Sequence, residues 1–171
     1  GFASRSPRVL KQAYITYIRP VLEYASSVWS PHLIKHIDAI ERVQKKFTKR
    51  IRTISDLSYP ERLAALDLEP LELRRLKTDL ILYYKCMNGL VALPYADYFN
   101  VSNVISQTRT GGNRLIQASC STNHFQNDFF NRSVSCWNLL PPHIIATDTV
   151  FKFKRLLSTV DLRRFLKCTY F

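Results

Sequence analysis

Between Leu33 and Ile54 the chain repeats apolar residues at intervals of three and four, a spacing that only a helix buried along one side satisfies. The stripe reads Leu33, Ile37, Ile40, Val43 or Gln44, Phe47, Ile51 and Ile54. The opposite side carries Lys35, Arg42, Lys45, Lys46, Lys49 and Arg52. The helix is expected to start near Pro31, because a first turn has no use for the N–H that proline lacks. Its apolar side needs a partner, and the segment before it offers one. Val9, Leu10, Tyr14, Tyr17, Ile18, Val21 and Leu22 recur at helical spacing, with a kink or interruption expected at Pro20 and an end at Ser30-Pro31.

The rest of the chain extends this pattern. A short helix is expected around Pro60 to Leu66 and a longer one from Pro70 to about Leu90, burying Leu73, Leu76, Leu80, Tyr83, Tyr84 and Met87 and stopping at Asn88-Gly89. Residues 92–110 read as a loop. Residues 111–126 could hold a short hairpin, with turn chemistry at Gly111-Gly112-Asn113 and strand-like Leu115-Ile116. Helix returns from Phe129: Trp137 and Leu140 fall in one, Pro141-Pro142 break it, and Phe151, Phe153, Leu156 and Leu157 fall in another. Only four glycines occur in 171 residues, against a turn-dense all-β fold or a Gly-rich phosphate loop. The expected fold is mainly α, a helical bundle-like segment followed by a mixed, mostly helical extension with at most a short β-hairpin. Three parts are distinguished: basic helices over 1–56, a helical spacer over 57–91 and a C-terminal extension over 92–171.

Charge narrows the choice of partner. The net charge is +12, from 25 Lys and Arg against 13 Asp and Glu, and it pulls the chain toward polyanions. Residues 1–60 carry net +7, residues 61–91 none and residues 92–171 net +5. The basic run from Arg42 to Arg52 could follow phosphates along a nucleic acid, and no acid inside it pairs those charges off. A membrane-surface helix has the same outline, but here the apolar side is needed within the fold. No apolar stretch approaches the ~20 residues of a membrane span, and GFASRSPRVLK holds no secretory h-region. The missing initiator Met suggests a piece of something longer. Cys86, Cys120, Cys136 and Cys168 show no C-x2-C spacing and suit a reducing compartment. The expected location is intracellular, cytoplasmic and/or nuclear, with no membrane partner.

Catalytic and metal signals are weak. His32 and His36 are four apart but lack a third ligand, and Cys120 and His124 form a lone C-x3-H pair. Among the 13 acids there is no D-D, D-x-D or E-x-D element, and Asp67-Leu68-Glu69 comes nearest. No G-x-S-x-G or P-loop occurs. No catalysis, cofactor, metal or small-molecule substrate is expected of this chain alone. Trp29, Phe47, Trp137, Phe151 and Phe153 are assigned to the core, and Tyr95, Tyr98 and Phe99 are the expected exposed aromatics.

The stretch from Tyr17 through Arg19-Pro20-Val21-Leu22-Glu23-Tyr24-Ala25-Ser26 to Val28-Trp29-Ser30-Pro31 resembles the segment after the palm in non-LTR, LINE-like (Jockey-type) retrotransposon reverse transcriptases. Ile37, Ile40, Glu41, Val43, Gln44, Thr48 and Ile51 resemble that family's next helix. Tyr59, Arg62-Leu63, Leu66, Leu68, Leu71-Glu72, Arg74-Arg75, Asp79-Leu80 and Tyr84-Lys85 follow in order. So do Thr108-Arg109, Phe130, Arg132, Trp137-Asn138, Leu140-Pro141 and Phe153-Lys154. The resemblance implies a thumb-like helical segment plus a C-terminal extension of an RNA-directed DNA polymerase, without the palm aspartates or an endonuclease domain. Its expected partners are RNA and/or DNA as template–primer, and the missing palm. Arg42, Lys45, Lys46, Lys49, Arg50 and Arg52 are then the expected phosphate contacts, with Arg74, Arg75 and Lys77 behind them. The rivals are a protein-interaction or structural module and an orphan transposon remnant.

Overall fold

A computed structural model describes residues 6–93, 100–101, 115–116 and 122–170. The Gly111–Asn113 turn, Tyr95, Tyr98, Phe99, Thr108-Arg109 and Cys120 lie outside the described residues. The fold is mainly α. The chain divides into two compact units, Gly1–Arg75 with Leu166–Phe171, and Leu76–Phe165. The division falls inside a helix, and the last residues return to the first unit, so the units are cut differently from the three parts distinguished in the sequence.

In the first unit α1 (Pro7–Ala13) opens with proline in its first turn. A π-helical segment, Tyr14–Ile18, follows and leads into α2 (Arg19–Glu23). The interruption expected at Pro20 takes this form: proline has no N–H for the carbonyl four residues back, and the ladder widens just before it. Ala25, with φ of +50°, turns the chain into α3 (Ser26–Trp29). α4 spans Ile34–Lys49 and α5 spans Tyr59–Leu66. The Ser58 N–H donates to Glu61 Oε2 (2.7 Å) at the start of α5. Asp67, with φ of +48°, ends α5, and the Leu68 N–H reaches back to the Leu63 carbonyl (2.9 Å). α6 (Leu71–Met87) begins in this unit and continues in the second.

The buried side of α4 differs from the apolar stripe. Ile37, Glu41, Gln44 and Thr48 are its buried positions and Ile51 is buried just past its end, whereas Val43, and Leu33 just before its start, are exposed. Glu41 and Gln44 are both 0 % exposed and form the centre of a polar network. The Tyr14 hydroxyl donates to Gln44 Oε1 (2.6 Å), and Gln44 Nε2 donates to the Tyr59 oxygen (2.9 Å) and the Glu69 carbonyl (3.0 Å). The Tyr59 hydroxyl donates to Glu41 Oε1, and the Leu71 N–H donates to Glu41 Oε2 (2.9 Å). Glu41 thus satisfies a first-turn N–H of α6 and places its charge at that helix's positive end. Burial nevertheless raises the Glu41 pKa above the usual carboxylate value, against the lowering by Tyr59 and the Leu71 N–H.

Arg62 donates to Thr48 Oγ1 (3.2 Å) and to the Leu57 carbonyl (2.6 Å). The C-terminal tail is held by Glu72, whose carboxylate accepts the N–H groups of Lys167 (2.8 Å) and Cys168 (3.3 Å).

In the second unit the remainder of α6 buries Asp79, Leu80, Tyr83, Tyr84 and Cys86. It stops as expected at Asn88-Gly89: Gly89 takes φ of +66°, and the Leu90 N–H donates to the Lys85 carbonyl (2.8 Å). β1 (Asn100–Val101) pairs antiparallel with β2 (Leu115–Ile116). Leu115 therefore does lie in a short strand, and its partner begins at Asn100 rather than within 111–126.

Short helices follow: α7 (Asn123–Gln126), α8 (Phe129–Arg132), α9 (Val134–Asn138), α10 (Pro142–Ile145) and α11 (Val150–Leu157). Thr122, Asp128 and Thr149 cap α7, α8 and α11 through their side-chain oxygens. Trp137, Phe153, Tyr83 and Tyr84 make the core, with Tyr84 stacked on Phe153 at 4.3 Å between centroids. Both buried tyrosines are satisfied, Tyr83 donating to the Phe129 carbonyl and Tyr84 to the Thr147 carbonyl (2.6 Å each). Asp79 receives Arg132 Nε (2.8 Å) and Nη2 (3.0 Å). The Asn138 amide continues the ladder of β2, accepting from the Leu115 N–H (2.9 Å) and donating to its carbonyl (2.8 Å). Phe47, Trp137 and Phe153 are inside or half-buried as expected, but Trp29 and Phe151 are exposed rather than core residues.

Candidate nucleic-acid interface

The outward side of α4 is set by its inward one. Burying Ile37, Glu41, Gln44 and Thr48 turns Lys35, Arg42, Lys46 and Lys49 toward solvent. The helix ends at Lys49, Arg50 occupies the capping position, and Arg52 opens a 3-10 turn, Arg52–Ile54. Lys46 and Lys49 also lie in the last turn of α4, where cations meet the negative end of the helix dipole.

The six expected contacts on this segment are not equivalent. Asp38 lies one turn before Arg42 and accepts from Arg42 Nη2 (3.0 Å) and Lys45 Nζ (2.8 Å). Lys45 is half-buried, and its ammonium sits 5.5 Å from the centroid of the Tyr59 ring. The absence of acids between Arg42 and Arg52 therefore does not leave all these charges unpaired. The two cations hold Asp38's carboxyl below its usual pKa, Lys45 having the largest effect. Lys46, Lys49, Arg50 and Arg52 are exposed and make no ion pair with any described residue.

The three outlying residues are placed differently. The Arg74 guanidinium is forked onto Glu23, with Nη2 to Oε2 at 3.0 Å. Arg75 is only 2 % exposed, buried where the sequence reading expects a surface cation. Its Nη1 and Nη2 have no hydrogen-bond partner among the described residues. Lys77 is half-buried and belongs to the second unit. The sequence carried a signal for Asp38, which stands four residues before Arg42 on the same helix. Glu23 is 51 positions from Arg74, and no local pattern connects them.

The remaining candidates separate in the same way. His32 precedes α4, so His32 and His36 do not share a helix face, and the His32 carbonyl accepts from Lys167 Nζ (2.8 Å). Asp67 is an exposed helix terminus, 3.6 Å from Lys11 Nζ. Among the described residues no three His, Cys, Asp or Glu side chains are grouped so as to hold a metal ion. No described helix is long and apolar enough to cross a membrane. No family model, curated protein or solved structure matches the chain.

Proposed function

We propose that this chain is the nucleic-acid-binding, post-palm portion of a retroelement RNA-directed DNA polymerase, gripping template–primer through phosphates and leaving catalysis to a part of the polymerase outside these residues. The observation that carries the reading is the cluster Lys46, Lys49, Arg50 and Arg52, exposed and without an ion pair among the described residues at one end of α4, in a chain of net charge +12. Phosphate contacts of this kind position a nucleic acid without reading its sequence. The resemblance around Arg19–Pro31 supports the choice of polymerase, and the proposed site of action is the cytoplasm or nucleus. A fluorescence-anisotropy titration against a labelled RNA–DNA hybrid at two salt concentrations tests it. Tight, sequence-indifferent binding that weakens steeply with salt is expected. No binding at low salt would defeat the reading.

A second reading is favoured by one observation. Tyr17, Val21, Tyr24 and Val28 are 68 %, 75 %, 80 % and 85 % exposed and follow one another at intervals of three and four. Such a run suits a protein interface, here the catalytic portion of the parent polymerase. Tyr24→Asp and Val28→Asp would then abolish association with that portion and spare hybrid binding.

A further inference from the structure

The second unit carries a separate exposed arrangement. Phe153 and Leu157 anchor α11 in the core, Phe153 through its stacking on Tyr84. That anchoring turns Phe151, Lys154, Arg155 and Ser158 outward, at the i, i+3, i+4 and i+7 positions of one face. Phe151 is 73 % exposed, although it is one of the largest apolar side chains in the unit. Lys154 and Arg155, one turn further on, make no ion pair with any described residue. The neighbouring carboxylates are already engaged: Asp148 by Lys152 at 2.8 Å and Asp161 by Arg163 at 3.4 Å.

From this we infer that the Phe151–Lys154–Arg155 face of α11 is a binding site for single-stranded nucleic acid, with one unpaired base stacked on Phe151 and its flanking phosphates on Lys154 and Arg155. The ring offers a flat apolar surface to any base, and the cations beside it answer the backbone charge. A duplex cannot use the ring, because its stacked bases have both faces covered. A membrane is a poor occupant, because the helix's continuous apolar side, through Phe153 and Leu157, is spent inside the unit. This site is distinct from the α4 cluster and rests on none of its residues.

The test compares the full chain with Phe151→Ala, Phe151→Tyr and Lys154→Gln/Arg155→Gln, titrated against a labelled oligo-uridylate and a duplex. Circular dichroism checks the fold, which an exposed side chain should leave intact. Phe151→Ala is expected to weaken single-strand binding about tenfold, the size of losing one aromatic platform, and to change duplex binding less than about twofold. Phe151→Tyr keeps the platform and should bind as wild type. The double charge variant should bind the single strand more weakly and with a shallower salt dependence. An unchanged single-strand affinity in Phe151→Ala, or an equal loss for both probes, would overturn the inference. The outcome is separable from the fate of the α4 proposal, because removing the α4 charges leaves the Phe151 difference in place.

Discussion

Replacing Arg132 with methionine should destabilise the second unit severely. Arg132 and Asp79 are 13 % and 4 % exposed at their side chains, and two guanidinium N–H groups reach the carboxylate at 2.8 and 3.0 Å. Without the arginine, Asp79 keeps, among the described residues, a marginal contact from Ser133 Oγ at 3.5 Å. A buried charge stranded in this way costs about 3–5 kcal/mol. With a urea dependence of about 2 kcal/mol per molar, the unfolding midpoint should fall by roughly 1.5–2.5 M. The assay is urea denaturation followed by the fluorescence of Trp137, which is in the same core. Because the loss comes from the uncompensated carboxylate, adding Asp79→Leu should recover at least half of it. A midpoint drop below about 0.5 M in Arg132→Met, or no recovery in the double variant, would refute the reasoning.

Three further outcomes follow from the buried groups. Tyr14→Phe leaves Gln44 Oε1 without its 2.6 Å donor and should cost about 1–3 kcal/mol in chemical denaturation. Glu41 has its folded pKa raised, so its buried charge opposes folding once pH climbs above the unfolded carboxylate range, and the penalty is relieved as pH falls back through the folded value. The stability of wild type relative to Glu41→Gln should therefore improve from pH 7 to pH 5 in urea titrations, and a constant difference would contradict this. Cys136 is buried with its thiol pushed up to about 12, whereas Cys168 is half-exposed, so a thiol reagent at pH 8 should label Cys168 before Cys136, as read by peptide mapping.

The helices and their stops were legible because they follow from periodicity and from Pro and Gly chemistry. Pro20, Asn88-Gly89 and Pro141-Pro142 each fall where the backbone changes course. The buried faces were less legible. Glu41, Gln44 and Thr48 in α4, and Arg75 and Asp79 in α6, are polar side chains that hydropathy assigns to solvent, yet they are buried. Glu41, Gln44 and Asp79 are satisfied by partners from distant sequence: Leu71, Tyr14 and Arg132. A helical wheel sees only the residue's own class and cannot see such a partner. The same limit explains the basic surface. Lys46, Lys49, Arg50 and Arg52 are exposed as their charge suggested, while Arg74 and Arg75 carry the same charge and are held inside the first unit. Several residues of the reverse-transcriptase resemblance, among them Glu41, Gln44, Arg132, Trp137 and Asn138, work within the units' own packing and hydrogen bonding.

The most direct test of the nucleic-acid proposal is the salt slope of hybrid binding. Wild type is compared with a variant carrying Lys46→Gln, Lys49→Gln, Arg50→Gln and Arg52→Gln. Each lost duplex phosphate contact removes about 0.9 from the slope of log K against log salt, so four contacts predict a slope shallower by about 3–4. Weaker binding with that change in slope is the expected result. Equal affinities and equal slopes for the two proteins would contradict the account, because the α4 cluster would then touch no phosphate.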